Sequence, residues 1–335
     1  ACAVVDRMQA ETAGALRPGL PSTFAEPVDD TEVRLLHLAE SVTFARSELL
    51  QHAIAWYKVA FHHRGVDGGY LPANLRAMAV VLRAELPPSG AAVAVQHIER
   101  ALQSYDAAPV DLPSSLRLDA PHGSLAANFL LEVLEGDGDA ALRLLREALG
   151  DGLTIADLHD HVLTPVQQEI GRMWVMAEVP IADEHYGSGI VDRLLWSLQD
   201  RLPDPPADAP TITTLGVGGN LHEFGLRMVA QRLQLAGYRV NHLGANMPAS
   251  DLEWALQERD ADLIAMSATL SLHLSAVQST IGEVRRIERA VGDGRRRPIL
   301  VGGAIFGRIT DLHRAVGADA CAVDAAAAVR AVREL

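Results

Sequence analysis

Apolar positions recur at helical spacing through the first third of the chain. Leu35, Leu38 and Ala39 form one group, Leu49, Leu50, Ile54 and Val59 a second, and Leu75, Met78, Val81 and Leu82 a third. This periodicity predicts an all-helical amino-terminal domain over residues 1–120, after a loose lead-in from Arg17 to Asp30. Two proline-bearing stretches, Ala107 to Gly123 and Arg201 to Pro210, interrupt the pattern and mark the borders of a second part, 121–200. From Ser124 to Leu198 the spacing is helical again, with Gly136 to Gly138 and Gly150 to Gly152 placing turns between Leu-rich segments. A four-helix bundle fits that length. At Thr211 the period changes. The runs TITTLGV, RVNHLG, DLIAMSA, PILVGG and ACAV are short and β-rich, and helical segments separate them. Strand and helix in alternation imply parallel strands joined by right-handed crossovers. The expected architecture is therefore α plus α/β, with a doubly wound, parallel, five-stranded, flavodoxin-like domain over 201–335.

Composition narrows the functional classes. About half of the 335 residues are apolar, enough for a substantial core, and the formal net charge of -14 gives no positive field for a phosphate backbone. Nucleic acid is not an expected partner. Only Cys2 and Cys321 are present, which excludes a disulfide framework and suits a reducing, cytoplasmic setting. No apolar run approaches the ~20 residues of a membrane span, so no membrane partner is expected. The Ala1-Cys2 start reads as a processed or trimmed end.

A doubly wound sheet binds ligands beyond the carboxyl ends of its strands, where strand order reverses, and here that crevice follows the first strand. The loop there reads Gly216-Val-Gly-Gly-Asn220-Leu-His222-Glu-Phe-Gly225. It lacks the Lys-Ser/Thr ending of a phosphate loop and is a poor dinucleotide fingerprint. What it offers is an imidazole, a good transition-metal ligand, with Asn220 placed to orient its other nitrogen. Ser267-Ala-Thr269 ends the third strand and Val301-Gly302-Gly303 the fourth. Together these segments resemble the cobalamin-binding domain of methionine synthase and the cobalamin-dependent mutases, with its Asp-x-His-x-x-Gly signature. The resemblance implies His222 as the lower axial cobalt ligand, displacing the cofactor's own base. It implies Gly225 beside the corrin, and Ser267, Thr269, Gly302 and Gly303 around the nucleotide tail. Asn220 stands where the family has Asp, which orients the imidazole without adding charge and implies a weaker cobalt–histidine bond.

The bundle carries a second motif, Trp174, then nine residues, then Glu184-His185. Leu163, Val166, Ile170, Met173 and Ala177 fit one helical stripe, which places Trp174 on or beside a buried face, and the next helix is expected to start near Asp183. The motif resembles the light-sensing cobalamin repressors of carotenoid genes. There the bundle caps the upper face of adenosylcobalamin, the Trp lies over the cobalt, and the Glu and His contact the adenosyl group. In those repressors a His directly follows the Trp and binds cobalt after photolysis, whereas here that position is Val175. His185 or water is left to take the vacated site.

No basic helix-turn-helix precedes this module. The chain is most similar overall to the photocobilins, which join a helical segment to the cobalamin module and bind biliverdin as a second chromophore. On that resemblance His62, His63, Arg64 and Tyr70 are the bilin contacts, with cationic groups for propionates and an aromatic ring for a pyrrole. Cys2 is a candidate for a thioether. The same residues also read as an ordinary helix end with cationic groups near its carboxyl terminus. The sequence thus points to a light sensor, not an enzyme. It is expected to form a homo-oligomer, a dimer in at least one state, whose packing changes on photolysis and signals to a downstream domain or protein. The competing readings are a corrinoid methyl carrier or activator of a methyltransferase system, the cofactor portion of a mutase or methionine synthase, and a helical interaction protein. The second would need a substrate-holding barrel that the first 120 residues are too short to make.

Overall fold

The computed structural model describes residues 1–11, 27–292 and 294–335, and the chain divides into two compact units. The first comprises Ala1–Ser115 with Gln168–Glu184, the second Leu116–Gln167 with His185–Leu335. Segment 168–184, which lies within the expected second part, groups in this division with the amino-terminal helices.

In the first unit the helices are α1 (Cys2–Glu11), α2 (Pro27–Thr43), α3 (Ser47–His62), α4 (Tyr70–Glu85) and α5 (Pro88–Tyr105). The lead-in from Arg17 lies outside the described residues as far as 26, and α2 opens at Pro27. Leu38, Leu50, Ile54, Leu75 and Met78 enter one core, as their spacing predicts, with Val81 and Leu82 half-buried against it. Ala39 does not follow its stripe and is exposed. The reason is a buried polar face on α2. Arg34, 0% exposed, donates from Nη1 to Asp30 Oδ2 at 2.5 Å and from Nε to Asn74 Oδ1 at 2.7 Å. Its guanidinium also lies 5.4 Å from the Tyr57 ring centroid and 5.8 Å from that of Tyr70. A buried charge is tolerated only with such partners, and they rotate α2 away from its apolar stripe.

Next along the chain come α6 (Gly123–Leu134), α7 (Gly138–Gly150), a rod running from α8 (Ile155–Asp157) through π-helical Leu158–Leu163 into α9 (Thr164–Val175), and α10 (Ile181–Ser197), all in the second unit except 168–184. These are the four rods expected of the bundle. The sheet follows as β1 (Thr211–Gly216), β2 (Arg239–His242), β3 (Leu263–Ser267), β4 (Ile299–Gly302) and β5 (Ala320–Ala322). Its order is β2-β1-β3-β4-β5 with every pairing parallel, so strand order reverses between β1 and β3. Intervening helices include α11 (Phe224–Leu235) and α13 (Leu274–Val291). Polar clamps hold the π-helical turn and α10 to α11: Arg232 donates to Asp160 Oδ2 at 2.7 Å, and Gln231 to the Leu195 carbonyl at 2.7 Å. No described helix is long and apolar enough to cross a membrane.

Candidate functional site

The loop after β1 is built across the switch point. Asn220, 0% exposed, donates from Nδ2 to the Ser267 carbonyl at the end of β3, at 3.0 Å. That donation fixes the amide, because Oδ1 turned toward the same carbonyl would set two acceptors face to face. Oδ1 then lies 3.3 Å from His222 Nδ1 and 3.3 Å from the His222 backbone N–H. An amide oxygen can only accept, so the contact selects the tautomer protonated at Nδ1, and Nε2 carries the lone pair a metal needs. His222 is itself exposed. The loop is pinned from the β2 side as well: Asn246 Oδ1 accepts from the Gly219 N–H at 2.7 Å, and the Asn246 N–H donates to the Asn220 carbonyl at 3.0 Å.

The glycines divide into two kinds. A Cβ on Gly303, where φ is +100°, would lie 2.2 Å from the Ala268 carbonyl oxygen, and one on Gly302 would lie 2.8 Å from that of Ala322. Both are required by the approach of neighbouring strand ends. Gly225 sits at the start of α11 with no positive φ, and a Cβ there would meet nothing within 4 Å. The fold does not require glycine at that position. An oriented imidazole, an open glycine and a close-packed carboxyl edge fit the lower face of a corrin. Ser267 is buried, and Thr269, Gly302 and Gly303 are half-buried along the same edge.

Several contributors gave no sequence signal. His273, 7% exposed, accepts at Nδ1 from the Thr269 and Leu270 N–H groups at 3.3 and 3.2 Å, fixing the loop after β3. Burial, and then the neighbouring His222, hold its pKa below the ordinary imidazole value. Behind the loop after β1, Glu223 pairs with Arg227 and lies 3.2 Å from His242 Nε2. Burial opposes ionisation of Glu223, but these partners win and hold the carboxyl below its usual range. Arg227 also reaches Asp192 on α10 at 3.2 Å and stacks 4.3 Å from the Trp196 ring. Among the described residues no cluster of three or more His, Cys, Asp or Glu could hold a metal ion, so any metal here would have few protein ligands.

The second motif lies at the turn between α9 and α10. Leu163, Val166 and Ile170 are buried as their stripe predicts, but Ala177 has left the helix, with φ +56°, and is exposed. Trp174 is half-buried, and its Nε1 is shielded from solvent with no acceptor. Val175 packs on Val59 and Ala60 of α3. Glu184 is half-buried in the first turn of α10, where the helix dipole favours it, and His185 is exposed. The four residues expected to meet a bilin do not converge. Tyr70, 2% exposed, faces Arg34 in the core. Arg64 donates to the Trp174 and Val175 carbonyls, and His63 Nε2 lies 3.0 Å from the Val110 carbonyl and 3.1 Å from Asp111 Oδ1. His62 is exposed beside His63.

Residues 210–333 and 125–197 each match a B12 binding domain model. The chain is 27% identical over 184 residues to the HTH-type transcriptional repressor CarA of Myxococcus xanthus, covering 52% of this chain and 60% of that protein. With CarH of the same organism it shares 30% over 145 residues, 43% of this chain and 46% of the repressor, so it spans about half the length of these relatives. Dimethylamine corrinoid protein 1 of Methanosarcina acetivorans is 25% identical over 201 residues, 59% of this chain and 90% of that one. The Methanosarcina barkeri monomethylamine corrinoid protein shares the fold, with a TM-score of 0.53 at 19% identity, over 64% of this chain and 99% of that structure. The bundle and the sheet of this chain thus each match a B12 binding domain, and a corrinoid is the cofactor class these matches indicate.

Proposed function

We propose that this protein is a light sensor that holds adenosylcobalamin through His222 and changes its subunit packing on illumination. The observation that carries the reading is the joint presence of an Asn220-oriented imidazole on an open loop and the Trp174-x9-Glu184-His185 motif bracketing the α9–α10 turn. Adenosylcobalamin would supply a cobalt–carbon bond that visible light breaks. His222 Nε2 is the cobalt ligand, and Asn220 keeps the proton on Nδ1. Ser267, Thr269, Gly302 and Gly303 hold the nucleotide tail. Trp174, Glu184 and His185 contact the adenosyl group, and an acceptor on it would satisfy the shielded Trp174 Nε1. Val175 is committed to Val59 and Ala60, so it marks no second histidine site here. No catalytic base or nucleophile is assigned, and the output is a change of homo-oligomer, a dimer in at least one state, read by a downstream domain or protein. A bilin is left out of the proposal, because Tyr70 and Arg64 are spent on other contacts.

The likeness over 90% of a dimethylamine corrinoid protein favours a second reading, a methyl carrier serving a methyltransferase. Absorption spectra and light-scattering chromatography of the adenosylcobalamin-loaded protein, in darkness and after illumination, separate the two. A sensor gives a spectral change and a change of mass. Identical mass over a wide concentration range refutes the quaternary switch, and tight methylcobalamin binding beside it supports the carrier.

A further inference from the structure

The amino-terminal helices have no task in the proposal above, yet they touch the residue on which its selectivity rests. Within the first unit, α3 ends against the turn that follows Trp174. Trp56 lies 6.0 Å from Trp174, centroid to centroid, with the ring planes tilted by 36°. Arg64, just beyond α3, places its guanidinium 5.3 Å from the Trp174 centroid. Its Nη2 donates to the Trp174 carbonyl and its Nη1 to the Val175 carbonyl, each at 2.6 Å, and Nη1 also reaches the Ala60 carbonyl at 3.1 Å. Those two carbonyls are among the last of α9, which have no intrahelical donor. One planar cation thus caps the helix, ties it to α3 and packs on the indole. Val59, Ala60 and Val175 close the apolar side of the contact.

We propose that Arg64 and Trp56 are positioning residues for Trp174: the amino-terminal domain sets the indole that selects the upper-face ligand. This rests on the reading of Trp174 as part of that face. Arg suits the task because its fork meets two carbonyls while its plane lies against a ring, which a lysine cannot do. Trp56 limits how far the Trp174 ring can turn, since an offset aromatic pair loses contact once either ring moves. The first domain is thereby part of the binding apparatus, and any displacement of Trp174 is felt first by α3.

The test uses the full chain with Arg64→Gln, Trp56→Leu, Trp56→Phe and, as reference, Trp174→Ala. In cofactor-free protein, exciton-coupled circular dichroism reads the indole pair. Trp56→Leu and Trp174→Ala abolish the couplet, and Arg64→Gln, which removes neither ring, weakens it. The second readout is the ratio of affinities for adenosylcobalamin and hydroxocobalamin. Arg64→Gln and Trp56→Leu lower the ratio about fivefold with hydroxocobalamin affinity nearly unchanged, and Trp56→Phe restores most of it. Should Arg64→Gln fail to fold, Arg64→Lys keeps the charge, loses the fork and is expected to shift both readouts the same way. If Trp174→Ala lowers the ratio while the Arg64 and Trp56 variants leave it unchanged, the positioning role is overturned and the sensor reading stands. If Trp174→Ala leaves the ratio unchanged, the upper-face assignment fails and the positioning role falls with it.

Discussion

Gly225→Ala sets the needs of the fold against those of a ligand. At this position on α11 the backbone has no positive φ, and an added methyl group would touch no protein atom within 4 Å. Alanine is the better residue for an exposed helical site on two counts, its higher helix propensity and the smaller freedom it loses on folding. Near a helix start the gain should be about 0.5 kcal/mol. For a unit of this size that raises the melting temperature by about 1–2 °C. On the proposed function the same methyl group would stand where a corrin lies on this loop. A corrin lying on the loop would have to tilt or withdraw, and overpacking of a close contact costs roughly 1–3 kcal/mol, or about tenfold to a hundredfold in affinity. Calorimetry of the cofactor-free variant and spectrophotometric titration with hydroxocobalamin measure the two effects separately. An affinity within twofold of the parent would show that no ligand approaches Gly225. A loss of stability would show that the backbone needed glycine after all.

Asn220→Asp should destabilise the cofactor-free protein by about 2–4 kcal/mol at neutral pH, since it buries a carboxylate oxygen against the Ser267 carbonyl. An unchanged urea midpoint would refute the amide orientation and with it the tautomer assigned to His222. His159, 0% exposed in the π-helical turn, is held neutral mainly by burial, with its pKa pushed down to about 4. The unfolded chain binds that proton near pH ~6.5, so stability is full above this value and falls as the pH drops toward the folded pKa, by about 2–3 kcal/mol at pH ~4.5. His159→Leu should lose much less between pH 7 and pH 4.5, and equal losses in the two proteins would show that another group carries the acid sensitivity.

The parallel sheet was legible because strands buried on both faces read as short continuous apolar runs, and the crossover rule then fixes where their carboxyl ends meet. That alone placed Asn220, His222, Ser267 and Gly302 on one edge. The amino-terminal domain was legible only as helical. The polar face of α2 depends on Arg34 finding Asn74 forty residues away, and no periodicity reports a pairing of that range. Arg64 shows the same limit more sharply. As a sequence feature it was one cation in an Ala60-Phe61-His62-His63-Arg64 cluster, available to any acid, but its partners are backbone carbonyls 110 and 111 residues distant. Carbonyls carry no side-chain identity, so a helix-capping cation of this kind cannot be told from a ligand-binding one before the chain is folded.

The carboxyl edge of the sheet contains two populations of residues. Gly302, Gly303 and Asn220 are demanded by the backbone, since each permits or bridges an approach between neighbouring strand ends. His222, Gly225 and Leu221 are not, and Leu221 stands 74% exposed beside the imidazole. An exposed leucine, an exposed imidazole held in one tautomer and a glycine with empty space around it together cost the folded chain stability without return. They make physical sense once an apolar plane with a metal at its centre covers them. The first population is rigid and makes the second precise, because the loop bearing His222 is tied to β3 through Asn220 and to the β2 loop through Asn246. On the proposed function the lower face is accordingly formed before any cofactor arrives. Trp174, which the proposal assigns to the adenosyl group, is held within the first unit by contacts that can be exchanged, a stacked ring and a guanidinium fork.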